Sequence, residues 1–229
     1  MRRVSVERVA TVDSPRGEIV LLRRADGTLE LRVNGVFVMD TAHTDSERRL
    51  ARTALDALET SVSGAAGRPR VLIGGLGLGF TLHEVLAEPL VREVTVAELE
   101  PAIIDWYRNG LVPELADDPH DRRVRLRAAD VTEVLAEQPS GSLDLVLLDV
   151  DNGPGYLVHT DNVTVYERDF LTTCHSRLSA GGVAAIWSAA RSAELETTMR
   201  DVFETVRRST VPVTLGTLET EYHLYLGIR

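Results

Sequence analysis

The chain has 229 residues, with 35 Asp and Glu against 25 Lys and Arg and a formal net charge of -10; a chain of this length buries a sizeable core, so one α/β domain with a small appendage is expected. The acidic balance argues against nonspecific binding to nucleic acid, which needs clustered cations, and the single cysteine, Cys174, excludes an intrachain disulfide and a CxxC metal site. Met-Arg-Arg at the start is followed by no apolar signal segment and no apolar run reaches the roughly 18 residues of a membrane span, so a cytoplasmic protein without membrane or nucleic-acid partners is expected.

Residues 4–40 read as a small β unit. VSVERVATV, GEIVLLRR, LELRV and VFVMD are strand-like, and Pro15-Arg16-Gly17, Asp26-Gly27 and Asn34-Gly35 separate them as turns. Taken with the following link, this unit is assigned residues 1–42, and the main domain 43–229. A helix is expected from about Asp45 to Val62, opened by a capping box of Thr44 and Glu47, with Leu50, Ala54, Leu55 and Leu58 on one face. Gly64 to Pro69 reads as a linker.

From Arg70 onward, strand and helix alternate. Strands are expected at Val71–Ile73, Val94–Glu98, Val124–Arg127, Leu143–Asp149 and Val183–Trp187. Helices are expected near Thr81–Leu86, from Pro101 to about Asn109, at Val131–Glu137, at Val165–Leu178 and at Ala193–Arg207. Two last strands fall near Val211–Leu215 and Tyr222–Ile228. Repeated β-α units with fully apolar strands imply a parallel sheet covered on both faces, with ligands at the carboxyl ends of its strands.

Four features fall at those carboxyl ends, each one β-α unit apart: the loop Gly75–Gly79, Glu98, Asp130 and Asp149. A glycine loop between strand and helix lets backbone N–H groups approach a ligand. An acid about twenty residues later commonly accepts the hydroxyls of a ribose. Together they point to an adenosine-containing small molecule. The glycines are spaced GLGLG, with Phe80 where a dinucleotide site has its third glycine, which argues against NAD. No phosphate-binding Lys-Ser/Thr pair is present. The run Asp149-Val150-Asp151-Asn152-Gly153 does not match a calcium loop, the residues after the fifth strand are Ser188-Ala189-Ala190, and no metal is expected.

In this order, VLIGGLGLGFTL, VTVAELEPAIIDWYR, VRLRAADVTEVL, LDLVLLDVDNGPG and LSAGGVAAIWSA resemble the class I S-adenosylmethionine-dependent fold, and in detail the spermidine synthase (aminopropyltransferase) family. The resemblance covers roughly residues 15–190. It implies a Rossmann-like class I methyltransferase sheet, mostly parallel, seven-stranded with the last strand antiparallel, beside the small N-terminal β unit. It implies S-adenosylmethionine or its decarboxylated form as cofactor. Gly75, Gly77, Leu78 and Gly79 would lie against the amino-acid or aminopropyl side of the nucleotide. Glu98 with Leu99 would hold the ribose, and Asp130 with Val131 the adenine. Asp149 would sit beside the sulfonium and the attacking nucleophile, orienting it and stabilising charge. Asp151, Asn152, Tyr156 and Trp187, with His159 and Asn162 nearby, would wall a pocket for a small-molecule acceptor.

The chain departs from the family on the polyamine side. Leu78 stands where the family has an aspartate that binds the amine of the decarboxylated donor, a loss worth about 1–3 kcal/mol. TDSERRLAR lacks the family's tyrosine and histidine, and VPVTLGTLETEYHLYL lacks its tyrosine-proline segment. The carboxylate of ordinary S-adenosylmethionine would suit glycine N–H groups. The sequence therefore ranks methyl transfer from S-adenosylmethionine to a small-molecule acceptor ahead of aminopropyl transfer from the decarboxylated donor. Transfer of the 3-amino-3-carboxypropyl group, or a nucleotide-binding module without catalysis, are the remaining alternatives. The edges of the N-terminal hairpins would allow a homodimer.

Overall fold

A computed structural model describes residues 6–61, 68–150, 160–215 and 218–229. Four antiparallel strands, β1 (Glu7–Ser14), β2 (Gly17–Arg23), β3 (Leu29–Val33) and β4 (Val36–Asp40), form a meander in sequence order. The turn residues foreseen between them carry it: Gly17, Gly27, Asn34 and Gly35 all have positive φ. Helix α1 (Asp45–Ser61) follows, close to its expected span.

The main sheet has seven strands in the order β10-β11-β9-β8-β5-β6-β7. Its central strands are β5 (Arg70–Gly74), β6 (Glu93–Glu98), β7 (Val124–Ala128), β8 (Leu143–Leu148) and β9 (Leu178–Ser188), all parallel. Strand β11 (Leu218–Ile228) runs antiparallel to β9, and β10 (Thr205–Leu215) antiparallel to β11 at the edge. The α/β class, the seven-stranded mostly parallel sheet and the antiparallel last strand agree with the expectation.

Alternation along the central strands divides the core in two. Val71, Ile73, Val96 and Leu145 face α1, α2 (Phe80–Leu86), α3 (Pro101–Arg108) and the N-terminal meander. Leu72, Val146, Leu148 and Ile186 face α4 (Val131–Ala136), α5 (Arg168–Arg177) and α6 (Ala193–Val202). Ile19, Leu21, Leu31 and Val33 belong to the first of these clusters, so the meander and the sheet share one continuous core. No described helix is long and apolar enough to cross a membrane.

Strands β9, β10 and β11 begin earlier than expected, at Leu178, Thr205 and Leu218, and two helix boundaries differ from the sequence reading. The helix expected to reach Arg207 stops at Val202, because Thr205 and Val206 enter β10 and pair with Ile228 and Gly227. Cross-strand pairing along all of β10 outweighs the weak helical preference of β-branched residues. Pro212 is tolerated because β10 is an edge strand. The helix expected from Val165 begins instead at Arg168, after a 3₁₀ segment over Thr160–Tyr166.

Candidate active site

The parallel strands end on one rim, and there the glycine loop, Glu98, Asp130 and Asp149 come together. Gly75, Gly77, Glu98, Leu99, Asp130, Val131 and Asp149 line one cavity. It encloses about 990 Å³ of space, part of it open to solvent. Ile103 supplies an apolar flank from α3, and Leu31, Val33, Val38 and Met39 of the meander form a second wall.

The loop is shaped by close approach. Gly75 has φ +87°, and a Cβ there would lie 2.1 Å from the carbonyl oxygen of Asp149. Gly79 has φ +101° and seats against the Tyr107 ring, where a Cβ would lie 2.3 Å from Cε2. Neither position admits another residue without movement. The loop's N–H groups are already engaged. Gly75 donates to Ala97 O and Gly79 to Leu76 O, Leu76 to Glu98 Oε2 at 2.8 Å, and Leu78 to Met39 Sδ at 3.1 Å; Gly77 also donates to Glu98.

Glu98 ends β6, buried. Its Oε1 accepts from the Glu100 N–H at 2.9 Å. Burial pushes its carboxyl above the ordinary range, and the donated N–H bonds of Leu76, Glu100 and Gly77 oppose that shift. With three N–H groups already donating to it, the carboxylate keeps room for one further donor, such as a hydroxyl. Asp130 caps α4, accepting from Thr132 N–H through Oδ1 at 2.7 Å, which fixes its carboxylate on the rim. Glu100, also buried in the lining, accepts from Ser14 Oγ at 3.1 Å and lies 3.6 Å from Arg16 Nη1.

Asp149 accepts a hydrogen bond from Thr81 Oγ1 at 2.8 Å. Its backbone N–H donates to Gly74 O, which ties the carboxyl end of β8 to that of β5. Burial raises its pKa to about 6. Beside it lies a carboxylate that the sequence reading placed elsewhere. Glu47 does not close a capping box: Thr44 Oγ1 accepts from the Arg48 side chain through Nε, at 3.2 Å, rather than from the Glu47 N–H, and the Glu47 side chain turns into the cavity, 7% exposed for the residue. There it accepts from Ser46 Oγ at 2.5 Å. Burial, then the charge of Asp149, pushes Glu47 up to about 7. The signal was present in the sequence: Glu47 precedes Leu50, Ala51, Ala54 and Leu58 on the apolar stripe of α1, where an unpaired acid is rare.

Trp187, at the carboxyl end of β9, also lines the cavity. Its ring packs against Tyr222, centroids 4.7 Å apart, and its Nε1–H is buried without a partner among the described residues. Leu78 and Gly79 do not line the cavity. The Leu78 side chain faces a smaller apolar cavity with Leu21, Trp106 and Leu111, because the meander packs over this part of the loop and takes its N–H through Met39. Asp151, Asn152, Tyr156 and His159 lie outside the described residues, as does the Asn162 side chain.

A spermine/spermidine synthase domain model matches residues 60–215. Polyamine aminopropyltransferase 2 of Pseudomonas aeruginosa is 36% identical over 162 residues, covering 65% of this chain and 44% of that protein. Putrescine N-methyltransferase 4 of Nicotiana tabacum is 30% identical over 116 residues, covering 50% of this chain and 28% of that protein. The chain thus spans less than half the length of these relatives. Among solved structures, a spermidine synthase in complex with the transition-state analogue AdoDATO superposes with a TM-score of 0.80 at 17% identity, over 98% of this chain and 75% of that one. Spermidine synthase from Thermotoga maritima gives 0.79 at 16%, over 98% and 74%. These likenesses speak for the fold.

Proposed function

The chain belongs to the spermine/spermidine synthase family, and on that premise we propose that it transfers an aminopropyl group from decarboxylated S-adenosylmethionine to a small amine. The observation that carries this reading is the sign of the cavity. Its described lining holds five carboxylates, Glu47, Glu98, Glu100, Asp130 and Asp149, and no Lys, Arg or His. The decarboxylated donor brings a sulfonium and an ammonium; the ordinary donor adds a carboxylate. Two like charges about 4 Å apart repel by roughly 4 kcal/mol at an effective dielectric near 20. The glycine-loop N–H groups expected to receive that carboxylate are engaged within the protein, which removes the main argument for ranking the ordinary donor first.

In the reaction, the lone pair of a neutral amine forms a bond to the aminopropyl carbon on sulfur. The carbon–sulfur bond breaks with its electrons to sulfur, and neutral methylthioadenosine leaves. The nitrogen becomes a secondary ammonium, and its surplus proton passes to a carboxylate or to solvent. Positive charge moves from sulfur to nitrogen, so Asp149 facing that nitrogen would stabilise the transition state more than the ground state. With its pKa raised to about 6, Asp149 is a better proton acceptor than an ordinary aspartate, though far below an ammonium near 10. Orientation and electrostatics therefore come first and proton transfer second. Glu98 is suited to a ribose hydroxyl and Asp130 with Val131 to the adenine.

Methyl transfer from ordinary S-adenosylmethionine is the second reading. It is favoured by the unpartnered Trp187 Nε1–H, a donor that a ligand carboxylate would satisfy, and the putrescine N-methyltransferase relatives accord with it. Calorimetry with both donors, followed by product analysis with a panel of amines, separates the two. The decarboxylated donor is expected to bind at least tenfold more tightly and to release methylthioadenosine. Tighter binding of the ordinary donor, with release of S-adenosylhomocysteine, would overturn the aminopropyl reading.

A further inference from the structure

If the cavity takes a donor with a free ammonium arm, as proposed above, the family pattern leaves that ammonium without its usual carboxylate. Leu78 occupies the position of the family's aspartate, and its side chain is turned away into an apolar cavity. The structure brings in another acid from a different element. Glu47 enters from the first turn of α1, on the stripe that the helix turns inward, where its neighbours are apolar. It makes no ion pair with Lys, Arg or His among the described residues, and its carboxylate accepts from the Ser46 hydroxyl.

Its position is defined by Thr81, one residue into α2 and two beyond the glycine loop. The Thr81 hydroxyl lies 2.8 Å from Asp149 Oδ2 and 3.4 Å from the Glu47 carbonyl oxygen. Asp149 lies against Gly75 of the glycine loop and Glu47 lies beside Asp149, so the two acids mark the glycine-loop end of the cavity lining, with Thr81 holding Asp149 from outside it. By the family resemblance, this is the end that receives the alkyl arm of the donor. A buried carboxylate lacking a counter-ion, beside a second one, is strongly disfavoured unless a cation or a proton joins it. The ring of Trp187 stands in the same lining and offers an aromatic face to a cation.

We infer that Glu47 binds the primary ammonium of the donor's aminopropyl arm, in place of the glycine-loop aspartate, and thereby selects the decarboxylated donor. This makes Glu47 a specificity residue contributed by α1, while Asp149 remains free to face the attacking amine.

The test is isothermal titration of the wild-type protein, Glu47→Gln and Glu47→Asp with decarboxylated S-adenosylmethionine and with methylthioadenosine. Methylthioadenosine carries the same nucleoside and sulfur without the aminopropyl arm. Glu47→Gln should weaken the decarboxylated donor at least tenfold and leave methylthioadenosine within twofold, and Glu47→Asp should recover part of the loss. An equal loss for both ligands would mean that Glu47 only supports the cavity and would overturn the assignment. So would unchanged binding of the decarboxylated donor. If the wild-type protein itself fails to prefer the decarboxylated over the ordinary donor, the aminopropyl reading falls. If the preference persists in Glu47→Gln, only the role of Glu47 falls.

Discussion

Asp149 and Glu47 line the same cavity, and burial moves both in the same direction. Their carboxyls are raised to about 6 and about 7 from ordinary values of 3.8 and 4.5. A raised carboxyl stabilises the fold fully below its unfolded pKa, and that contribution is lost as pH rises through the folded value. The groups facing Glu47 add to this: Asp149 and Asp40 are acids, and Tyr222, itself raised by burial and by the charges of Glu47 and Asp40, is no cation. The ligand-free protein should therefore lose stability between about pH 4.5 and pH 7 from this pair. Glu47→Gln should flatten the decline and raise the unfolding midpoint above pH 7. A thermal-unfolding series across that range checks this, and an unchanged slope in the variant would contradict it. Asp149→Asn keeps the shape and the Thr81 hydrogen bond but removes the charge that faces the reacting nitrogen. Turnover should fall by about 10²-fold or more while affinity for methylthioadenosine changes less than threefold, read by steady-state kinetics beside calorimetry. Parallel losses in both would assign Asp149 to donor binding alone.

At the scale of elements, the glycine loop connects sequence to site most directly. Its three glycines were read as a close-approach turn, and each has positive φ in the structure. Gly75→Ala would force a Cβ against the Asp149 carbonyl and a strained backbone. The expected loss is about 1–3 kcal/mol of folding stability, with weakened donor binding, because the ends of β5 and β8 are held together at this point. Chemical denaturation measures the first and calorimetry the second; a neutral result would mean that the two strand ends separate easily. The strand-and-helix order from Arg70 to Ser188 was legible because apolar runs and turn residues repeat there with a clear period. The last helix was overestimated because Thr205 to Arg207 carry no local stop signal. Only pairing with β11, more than fifteen residues ahead in the chain, makes them a strand.

At the scale of the whole molecule, the N-terminal meander completes the site as well as preceding it. Met39 takes a glycine-loop N–H, Arg16 lies by Glu100 and donates to Leu99 O, and Leu31, Val33 and Val38 wall the cavity. These contacts join residues some forty to eighty-five positions apart, and no local pattern in the sequence foretells them. The sequence by itself determined the β-α order, the glycine loop and the acids at successive strand ends, because strand period, turn chemistry and strand-end position are properties of short segments. Only the tertiary structure decided that the acid on the apolar stripe of α1, Glu47, shares the cavity with Asp149. It likewise decided that Leu78 faces away from the cavity, that the loop's N–H groups are engaged, and that carboxylates alone supply the charge of the described lining. Burial and electrostatic environment are set by which distant elements pack together, and that packing exists only in the folded chain.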